Sequence, residues 1–381
     1  MEKITILGAT GSIGLQSIDV ACKEGFEVEG LSLNSKIDVL KEQLCKLPNL
    51  KYVAILNEEK ANEFKKEYPN YFVFSGKDSN IDLLNAVKSQ KIINSLVGFA
   101  GLKPSLTALK LNKTLCLANK ESLVVGGILI NNLLSQGFGK LYPIDSEHVA
   151  IYKLLKHSNR KEVKRMIITA SGGALRDYPL EELSKVTIKD VLNHPTWKMG
   201  KRITVDSTTM VNKGFEFIEA SYLFNWDINN ISVLINDESE IHSALEFKDN
   251  SYLFEVGPSD MRIPISYALN EAKRINMDYK AVDFNRKCSL NFREFNVKRY
   301  PLFKLVLDVF KLNPLNMVVL NAVDEELIKL LVNNELTYLD FLNLEEKIVK
   351  ENLINKKEMN YEELEETDSK LRELVKKYKR A

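Results

Sequence analysis

Over the first 145 residues, short apolar runs alternate with amphipathic stretches. Residues 4–7, 28–33, 52–56, 71–74, 92–95 and 114–117 read as strands, and periodic segments such as 36–45 and 81–88 lie between them. That alternation predicts a parallel, doubly wound α/β sheet. After residue 145 the pattern changes. Strand-like stretches at 165–170, 232–235 and 252–255 mix with one strong helix over 208–224, which predicts an α+β domain across 146–275. Residues 276–300 are irregular and polar, as a linker is. From Tyr300 onward the pattern is helical, so residues 301–381 are expected to form a C-terminal α-helical domain. There Leu364, Leu371, Leu374, Val375 and Tyr378 share one face at helical spacing, as packing inside a small helical domain requires. The acidic run 362–366 reads as a solvated helix face.

Composition narrows the partners. A chain of 381 residues suits two or three domains. With 45% hydrophobic and 28% charged residues it is an ordinary globular chain, not a disordered one. Lys plus Arg number 53 and Asp plus Glu 52, so no global field draws it to nucleic acid or to a membrane surface. No apolar run approaches ~18 residues, the length that spans a bilayer. The chain enters its first strand at residue 3, which leaves no room for a targeting segment. Cys22, Cys45, Cys116 and Cys288 are scattered and form no CxxC pair. They read as reduced thiols in a cytoplasmic protein.

The segment ILGATGSIG (6–14) follows the first strand and opens a helix. Gly8, Gly11 and Gly14 stand where backbone must approach a pyrophosphate and where helix must pack on strand. The free N–H groups at that helix start favour phosphate. This makes residues 1–145 a Rossmann-like dinucleotide domain. The end of the second strand discriminates between cofactors. An NAD site places Asp or Glu there, about 20 residues after the turn. This chain has Asn34, Ser35 and Lys36, polar and cationic groups that suit a 2′-phosphate, so NADP(H) is expected. The other reading is an ordinary loop with the acidic partner elsewhere.

Acidic residues suggest a cation. In extended chain, positions i and i+2 point the same way, so Asp145 and Glu147 of PIDSE are expected to face one point. On the helix over 208–224, Asn212, Glu216 and Glu219 fall at i, i+4 and i+7 and form one polar stripe. Carboxylates ~5 Å apart repel by roughly 3 kcal/mol at an effective dielectric of about 20. A hard divalent cation removes that repulsion, and all-oxygen ligands favour Mg²⁺ or Mn²⁺ over Zn²⁺. Spacing alone does not separate such a site from surface acids, nor Glu216 from Glu219.

Two further segments suit a phosphorylated ligand. Ser171-Gly172-Gly173 follows a strand, where a glycine turn offers N–H groups to an anion. The segment from Asp206 to Thr209 is expected to open the helix over 208–224, with Asn212 and Lys213 in its early turns. Capping by Ser207, with Lys213 facing solvent, explains the same residues. Between them, the loop 193–200 (NHPTWKMG) brackets His194, Trp197 and Met199 between turn-forming residues. Such a loop suits a lid that excludes water, and a loop whose Trp packs on its own domain explains the same residues. His148, His157 and His242 read as structural.

These segments together resemble the 1-deoxy-D-xylulose 5-phosphate reductoisomerase family. The resemblance is carried by ILGATGSIG (6–14), VGFAGLKPSLTAL (97–109), LANKESLV (117–124), PIDSEHVAIY (143–152), TASGGALRD (169–177), HPTWKMGKRITVDSTTMVNKGFEFIEA (194–220) and DMRIPISYAL (260–269), with a weaker match at VVLNAVDEE (318–326). It implies a dinucleotide domain, a catalytic domain and a C-terminal helical domain, and a homodimer. It implies rearrangement of 1-deoxy-D-xylulose 5-phosphate to an aldehyde, then NADPH reduction to 2-C-methyl-D-erythritol 4-phosphate, with Mg²⁺, Mn²⁺ or Co²⁺ required.

Carried over by motif, the resemblance implies metal ligation by Asp145, Glu147 and Glu216, and phosphate contacts from Ser171, Ser207, Asn212 and Lys213. Lys120, Ser146 and His194 would meet the substrate backbone. The cofactor would use Thr10, Gly11, Ser12, Ile13, Asn34, Ser35, Lys36, Asn119, Glu121 and Gly200. Departures from the family pattern are GPSDMR (257–262) for VPDMR, Glu271-Ala272 where Tyr-Pro is usual, and VLNAVDE for VLNAANE.

Overall fold

A computed structural model of the chain describes residues 1–197, 200–285 and 289–378. From the N-terminus the chain alternates strictly. It runs β1 (Lys3–Leu7), α1 (Ser12–Glu24), β2 (Glu27–Leu33), α2 (Ile37–Lys41), β3 (Tyr52–Ile55), α3 (Glu58–Glu67) and β4 (Phe72–Ser75). It continues through α4 (Ser79–Ala86), β5 (Lys91–Asn94), α5 (Leu102–Lys110), β6 (Thr114–Leu117), α6 (Lys120–Ser135), β7 (Lys140–Pro143) and α7 (Ser146–Lys156). The seven strands form one sheet in the order β4-β3-β2-β1-β5-β6-β7. All its neighbours pair in parallel. The chain reverses direction across the sheet between β1 and β5, the switch point where open α/β sheets bind ligands. Ile4, Ile6, Leu31, Val53 and Ile93 are fully buried, as expected where helices cover both faces. The six strands read from the sequence are all present.

The second half contains β8 (Val163–Ala170), α8 (Ile188–Val191), α9 (Lys201–Thr209), α10 (Val211–Phe224), β9 (Ile231–Asn236), β10 (Ile241–Phe247) and β11 (Tyr252–Val256). Then follow α11 (Arg262–Leu269), β12 (Phe292–Arg293), α12 (Pro301–Leu312), α13 (Met317–Val332), α14 (Tyr338–Glu351) and α15 (Tyr361–Val375). Five strands form a mixed sheet in the order β11-β10-β8-β9-β12. The sequence reading missed β10. This strand lies between two neighbours and is buried along most of its length, so it lacks the apolar–polar alternation of a half-exposed strand.

The chain divides into two compact units. The first gathers Met1–Ser122, Gly126–Val149 and Asp260–Met277; the second gathers Leu123–Val125, Ala150–Ser259 and Asp278–Ala381. The first therefore takes back α11, whose Ile265, Ala268 and Leu269 join its core. The second holds the five-stranded sheet together with α12 to α15. In α15, Leu364, Leu371 and Val375 are buried, as their spacing predicts. No helix among the described residues is long and apolar enough to cross a membrane.

One expected element is really two. The helix read over 208–224 is α9 followed by α10, broken at Met210, whose φ of 64° is left-handed. A residue with a β-carbon seldom adopts that conformation, and no Gly or Pro marks the break.

Within the second unit, Arg202 of α9 reaches into the helical layer. It donates to Asn321 Oδ1 at 3.0 Å, lies 3.1 Å from Glu325 and 3.5 Å from Asp324, and is 3.6 Å from Asp206. Asp324 and Glu345 have no solvent exposure. Burial holds both carboxyls well above the ordinary carboxylate range; neighbouring acid (Glu345 for Asp324, Asp206 for Glu345) adds to it. A raised carboxyl is penalised only where the unfolded chain ionises and the folded chain does not, which begins near pH 4 and grows as pH rises. Asp324→Asn, which does not titrate, should therefore gain stability relative to wild type as pH rises from about 4 to 7. Urea unfolding across that range checks this; a difference independent of pH would contradict it.

Candidate active site

In the first unit the glycine turn is tight. Gly8 has φ 81°, and a β-carbon there would lie 2.7 Å from the Ser95 carbonyl oxygen. At Gly14 a β-carbon would lie 2.3 Å from the Gly8 carbonyl oxygen, so α1 starts flush against the turn. Gly11 caps α1 without any side-chain bond. Gly11 and Ser12 are exposed and Thr10 and Ile13 half-buried around that helix start, where the first N–H groups have no partner within the helix. Asn34, Ser35 and Lys36 are exposed directly after β2, the neighbour of β1. The two loops thus share one edge of the sheet, beside the switch point.

Asn119 starts α6 and is buried. Its Nδ2 donates to the carbonyls of Leu96 and Gly98, both at 3.0 Å, and to Glu121 at 2.7 Å. Its Oδ1 accepts from the Ser122 backbone and hydroxyl. This amide therefore ties the loop after β5 to the start of α6.

The acids after β7 do not lie in extended chain. α7 begins at Ser146, and Asp145 caps it: Asp145 Oδ1 accepts from the N–H of Glu147 at 3.0 Å and of His148 at 3.2 Å. The expected i, i+2 geometry fails because an Asp before an apolar helix is a preferred cap. Asp145 and Glu147 still bring carboxylate oxygens within 4.8 Å of each other. Lys120 Nζ sits 3.0 Å from Asp145 Oδ2, and Ser146 Oγ donates to Glu147 at 2.5 Å. His148, fully buried, places Nδ1 3.2 Å from Asp145 Oδ1. It lies against an acid, a contact that sequence spacing did not reveal.

The second unit builds a separate constellation. Gly172 and Gly173 are both left-handed, at φ 83° and 72°. A β-carbon on Gly173 would lie 2.5 Å from the Ser207 carbonyl oxygen, so the turn after β8 rests on the last turn of α9. This brings the Ser171 turn beside Ser207. Ser207 is not a cap: it lies in the last turn of α9 rather than opening α10, whose own cap, Met210, has no side-chain bond. Asn212 and Lys213 do stand in the first turn of α10. Lys213, 4% exposed, does not face solvent; its ammonium contacts the carboxylate of Glu216. Asn212 Nδ2 donates to Glu216 Oε1 at 2.6 Å, the i, i+4 contact that the spacing predicts. Glu216 and Glu219 are 2% and 1% exposed.

Of the loop 193–200, Lys198 and Met199 lie outside the described residues. His194 Nδ1 accepts from the N–H groups of Thr196 at 3.1 Å and Trp197 at 2.9 Å. Its Nε2 is 3.0 Å from Ser171 Oγ. Burial, and then the charge of Arg176, lower the His194 pKa to about 4, so the imidazole is neutral at pH 7. Trp197 is half-buried, and Gly200 is exposed at the start of α9. His157 is exposed. His242 lies near Gly257, where a β-carbon would be 3.6 Å from its ring. Arg176 escaped the sequence reading; its only signal was its place four residues after the Gly172 position in TASGGALRD.

Family models agree with these motifs. One described as 1-deoxy-D-xylulose 5-phosphate reductoisomerase matches residues 4–127. Models of that reductoisomerase's C-terminal domain match residues 141–224 and 256–374. The chain is 38% identical over 355 residues to the 1-deoxy-D-xylulose 5-phosphate reductoisomerase of Microcystis aeruginosa (strain NIES-843 / IAM M-2473), covering 91% of this chain and 90% of the relative. A crystal structure of DOX-P reductoisomerase in complex with NADPH, fosmidomycin and magnesium superposes with a TM-score of 0.91 at 26% identity, covering 99% of this chain and 98% of that one. The Zymomonas mobilis 1-deoxy-D-xylulose 5-phosphate reductoisomerase in complex with NADPH gives 0.89 at 31% identity, covering 98% of each chain. Likeness at this level over nearly the whole length means that the chain belongs to the 1-deoxy-D-xylulose 5-phosphate reductoisomerase family.

Proposed function

We infer that this chain is an NADP-dependent oxidoreductase that also performs an intramolecular rearrangement. It converts 1-deoxy-D-xylulose 5-phosphate to 2-C-methyl-D-erythritol 4-phosphate, with NADPH and a divalent cation, in non-mevalonate isoprenoid precursor biosynthesis. The observation that carries this is the near full-length identity to a relative of that activity. NADPH and magnesium in the structural neighbours support the cofactors.

The assignment of roles is our proposal. Residues 1–145 bind NADPH through Thr10, Gly11, Ser12, Ile13, Asn34, Ser35 and Lys36, joined by Asn119, Glu121 and Gly200. Residues 146–275 carry the chemistry, 276–300 connect onward while lending β12 to the five-stranded sheet, and 301–381 support from the C-terminal helices. Asp145, Glu147 and Glu216 hold the cation. The donor set fits: it is all oxygen, as Mg²⁺ or Mn²⁺ prefers, and Co²⁺ is tolerated. Both Asp145 and Glu216 already have a lysine ammonium against them, so each is arranged to meet positive charge. When bound, the cation would act as a Lewis acid on the substrate's carbonyl and adjacent hydroxyl.

The chain's own groups do the rest. Ser171, Ser207, Asn212 and Lys213 hold the phosphate, which anchors the substrate while its carbon skeleton rearranges. Lys120 places positive charge beside the reacting oxygens, with Ser146 and neutral His194 as hydrogen-bond partners of the substrate. The 193–200 loop closes over the site and excludes water before hydride transfer from NADPH. The protein is cytoplasmic and works as a homodimer. Edge strand β11 supports the dimer, because Tyr252, Leu253 and Phe254 stand 48%, 45% and 40% exposed along it.

Three measurements test this. NADPH oxidation with 1-deoxy-D-xylulose 5-phosphate should depend on added Mg²⁺ or Mn²⁺ and yield the branched tetrol phosphate by NMR; a product with an unrearranged skeleton would refute the rearrangement. Glu216→Gln should lower kcat by on the order of 10²–10³-fold and leave NADPH affinity unchanged. Turnover near the normal rate would remove Glu216 from the metal. Ser207→Ala should raise KM about tenfold, the loss of one hydrogen bond to a charged group, and an unchanged KM would take it out of the phosphate site. In addition, Leu253→Glu with Phe254→Glu should convert a dimer to a monomer by light scattering; a persisting dimer would place the interface elsewhere.

A further inference from the structure

A phosphate dianion needs donors and is repelled by free carbonyl oxygens. Among the described residues, the Ser171-Gly172-Gly173 turn meets that demand in an ordered way. The Ser171 carbonyl accepts from Arg176 Nη1 at 2.8 Å. The next carbonyl, of Gly172, accepts from the Tyr300 hydroxyl at 2.8 Å. Both oxygens are therefore occupied. Arg176 is itself held: its Nε lies 3.3 Å from Asp177, and its Nη1 3.5 Å from Asp237. Arg293 pairs with both of these acids, so the four residues form one charged lattice behind the turn.

The proton order of the side chains follows from the same contacts. His194 Nδ1 accepts two backbone N–H groups, so it carries no proton. The single proton of the neutral ring is then on Nε2, which donates to Ser171 Oγ at 3.0 Å. The Gly173 N–H donates to the same oxygen at 3.2 Å. With both acceptor positions of Ser171 Oγ filled, its own hydrogen has only one use, donation outward.

We propose that Arg176 is a positioning residue for the substrate's phosphate: by holding the Ser171 carbonyl, it keeps the Ser171 hydroxyl against the His194 ring, fixes the donor order of this pair and leaves the Ser171 hydroxyl hydrogen to the dianion. This rests on the reading that Ser171 contacts the phosphate. The guanidinium also repels a proton from His194, on top of the larger effect of burial. A charged His194 would carry hydrogen on Nδ1 and could no longer accept from Thr196 and Trp197. Arg176 acts through Ser171 and His194.

The test uses the full-length enzyme. Histidine-selective ¹⁵N labelling resolves the four His rings. At pH 7, wild-type His194 should show the neutral tautomer protonated on Nε2; an Nδ1-protonated or cationic ring overturns the proposal. Arg176→Met should raise KM for 1-deoxy-D-xylulose 5-phosphate about tenfold with kcat changed far less, leave NADPH affinity intact, and raise the pH at which His194 titrates. Arg176→Lys keeps the charge without the planar fork and should restore the titration but only part of the KM. A wild-type KM in a folded Arg176→Met variant, shown by normal NADPH binding, refutes positioning. If that variant does not fold, the Lys variant and the wild-type spectrum decide. Ser171→Ala separates the two levels. A raised KM there with a normal KM in Arg176→Met sinks only Arg176; a normal KM in Ser171→Ala sinks the phosphate assignment beneath it.

Discussion

Burying a carboxylate away from water costs several kcal/mol unless a counter-charge and hydrogen bonds accompany it. Glu216 sits under that constraint. It is 2% exposed on α10, and the chain answers with Lys213 one turn before it and Asn212 at the preceding i−4 position. All three residues belong to one helix, so one stretch of sequence solves the electrostatic problem locally. The first unit handles Asp145 in a parallel way, with Lys120 on one oxygen and the cap contacts and His148 on the other. In both units a lysine ammonium lies against a largely buried acid. The groups that stabilise the fold and those that would serve the chemistry are the same.

Close backbone approach is the second theme. Gly14 lets α1 start against the phosphate-type turn, and Gly173 lets the turn after β8 rest on α9. Neither contact leaves space for a β-carbon. These glycines set distances between elements, and the polar side chains around them inherit their positions. Elsewhere side chains do the tying: Asn119 donates to the carbonyls of Leu96 and Gly98, and the Tyr300 hydroxyl donates to that of Gly172.

Much of this was legible in the sequence, for physical reasons. Parallel strands buried on both faces are short and continuously apolar, and all six read from the first 145 residues exist. The glycine motif, the i, i+4 pair of Asn212 and Glu216, and the buried stripe of α15 also follow from simple periodicity. Other features have no local signature. The strand β10 is central and buried, so its pattern is not that of an alternating strand. Asp145 reads equally well as one of two aligned acids or as a helix cap, and only the backbone path decides. Arg176 acts through a carbonyl, a contact that no side-chain pattern announces. The exchange of Asn for Asp324 in the VLNAANE pattern is visible in sequence, but its burial against Glu345 is not.

Met210 joins α9 to α10 in a left-handed conformation that a side-chain-bearing residue adopts at a cost of roughly 1–2 kcal/mol. Its side chain is 2% exposed and packs in the core of the second unit with Phe217, Leu245 and Phe303. Burial of the thioether in the core thus offsets, at the elbow, a conformation that the backbone disfavours. Ser207 lies just before the elbow and Asn212 and Lys213 just after it. Their mutual alignment therefore passes through a hydrophobic residue buried in the core, so the oily interior has a share in how tightly these polar groups converge.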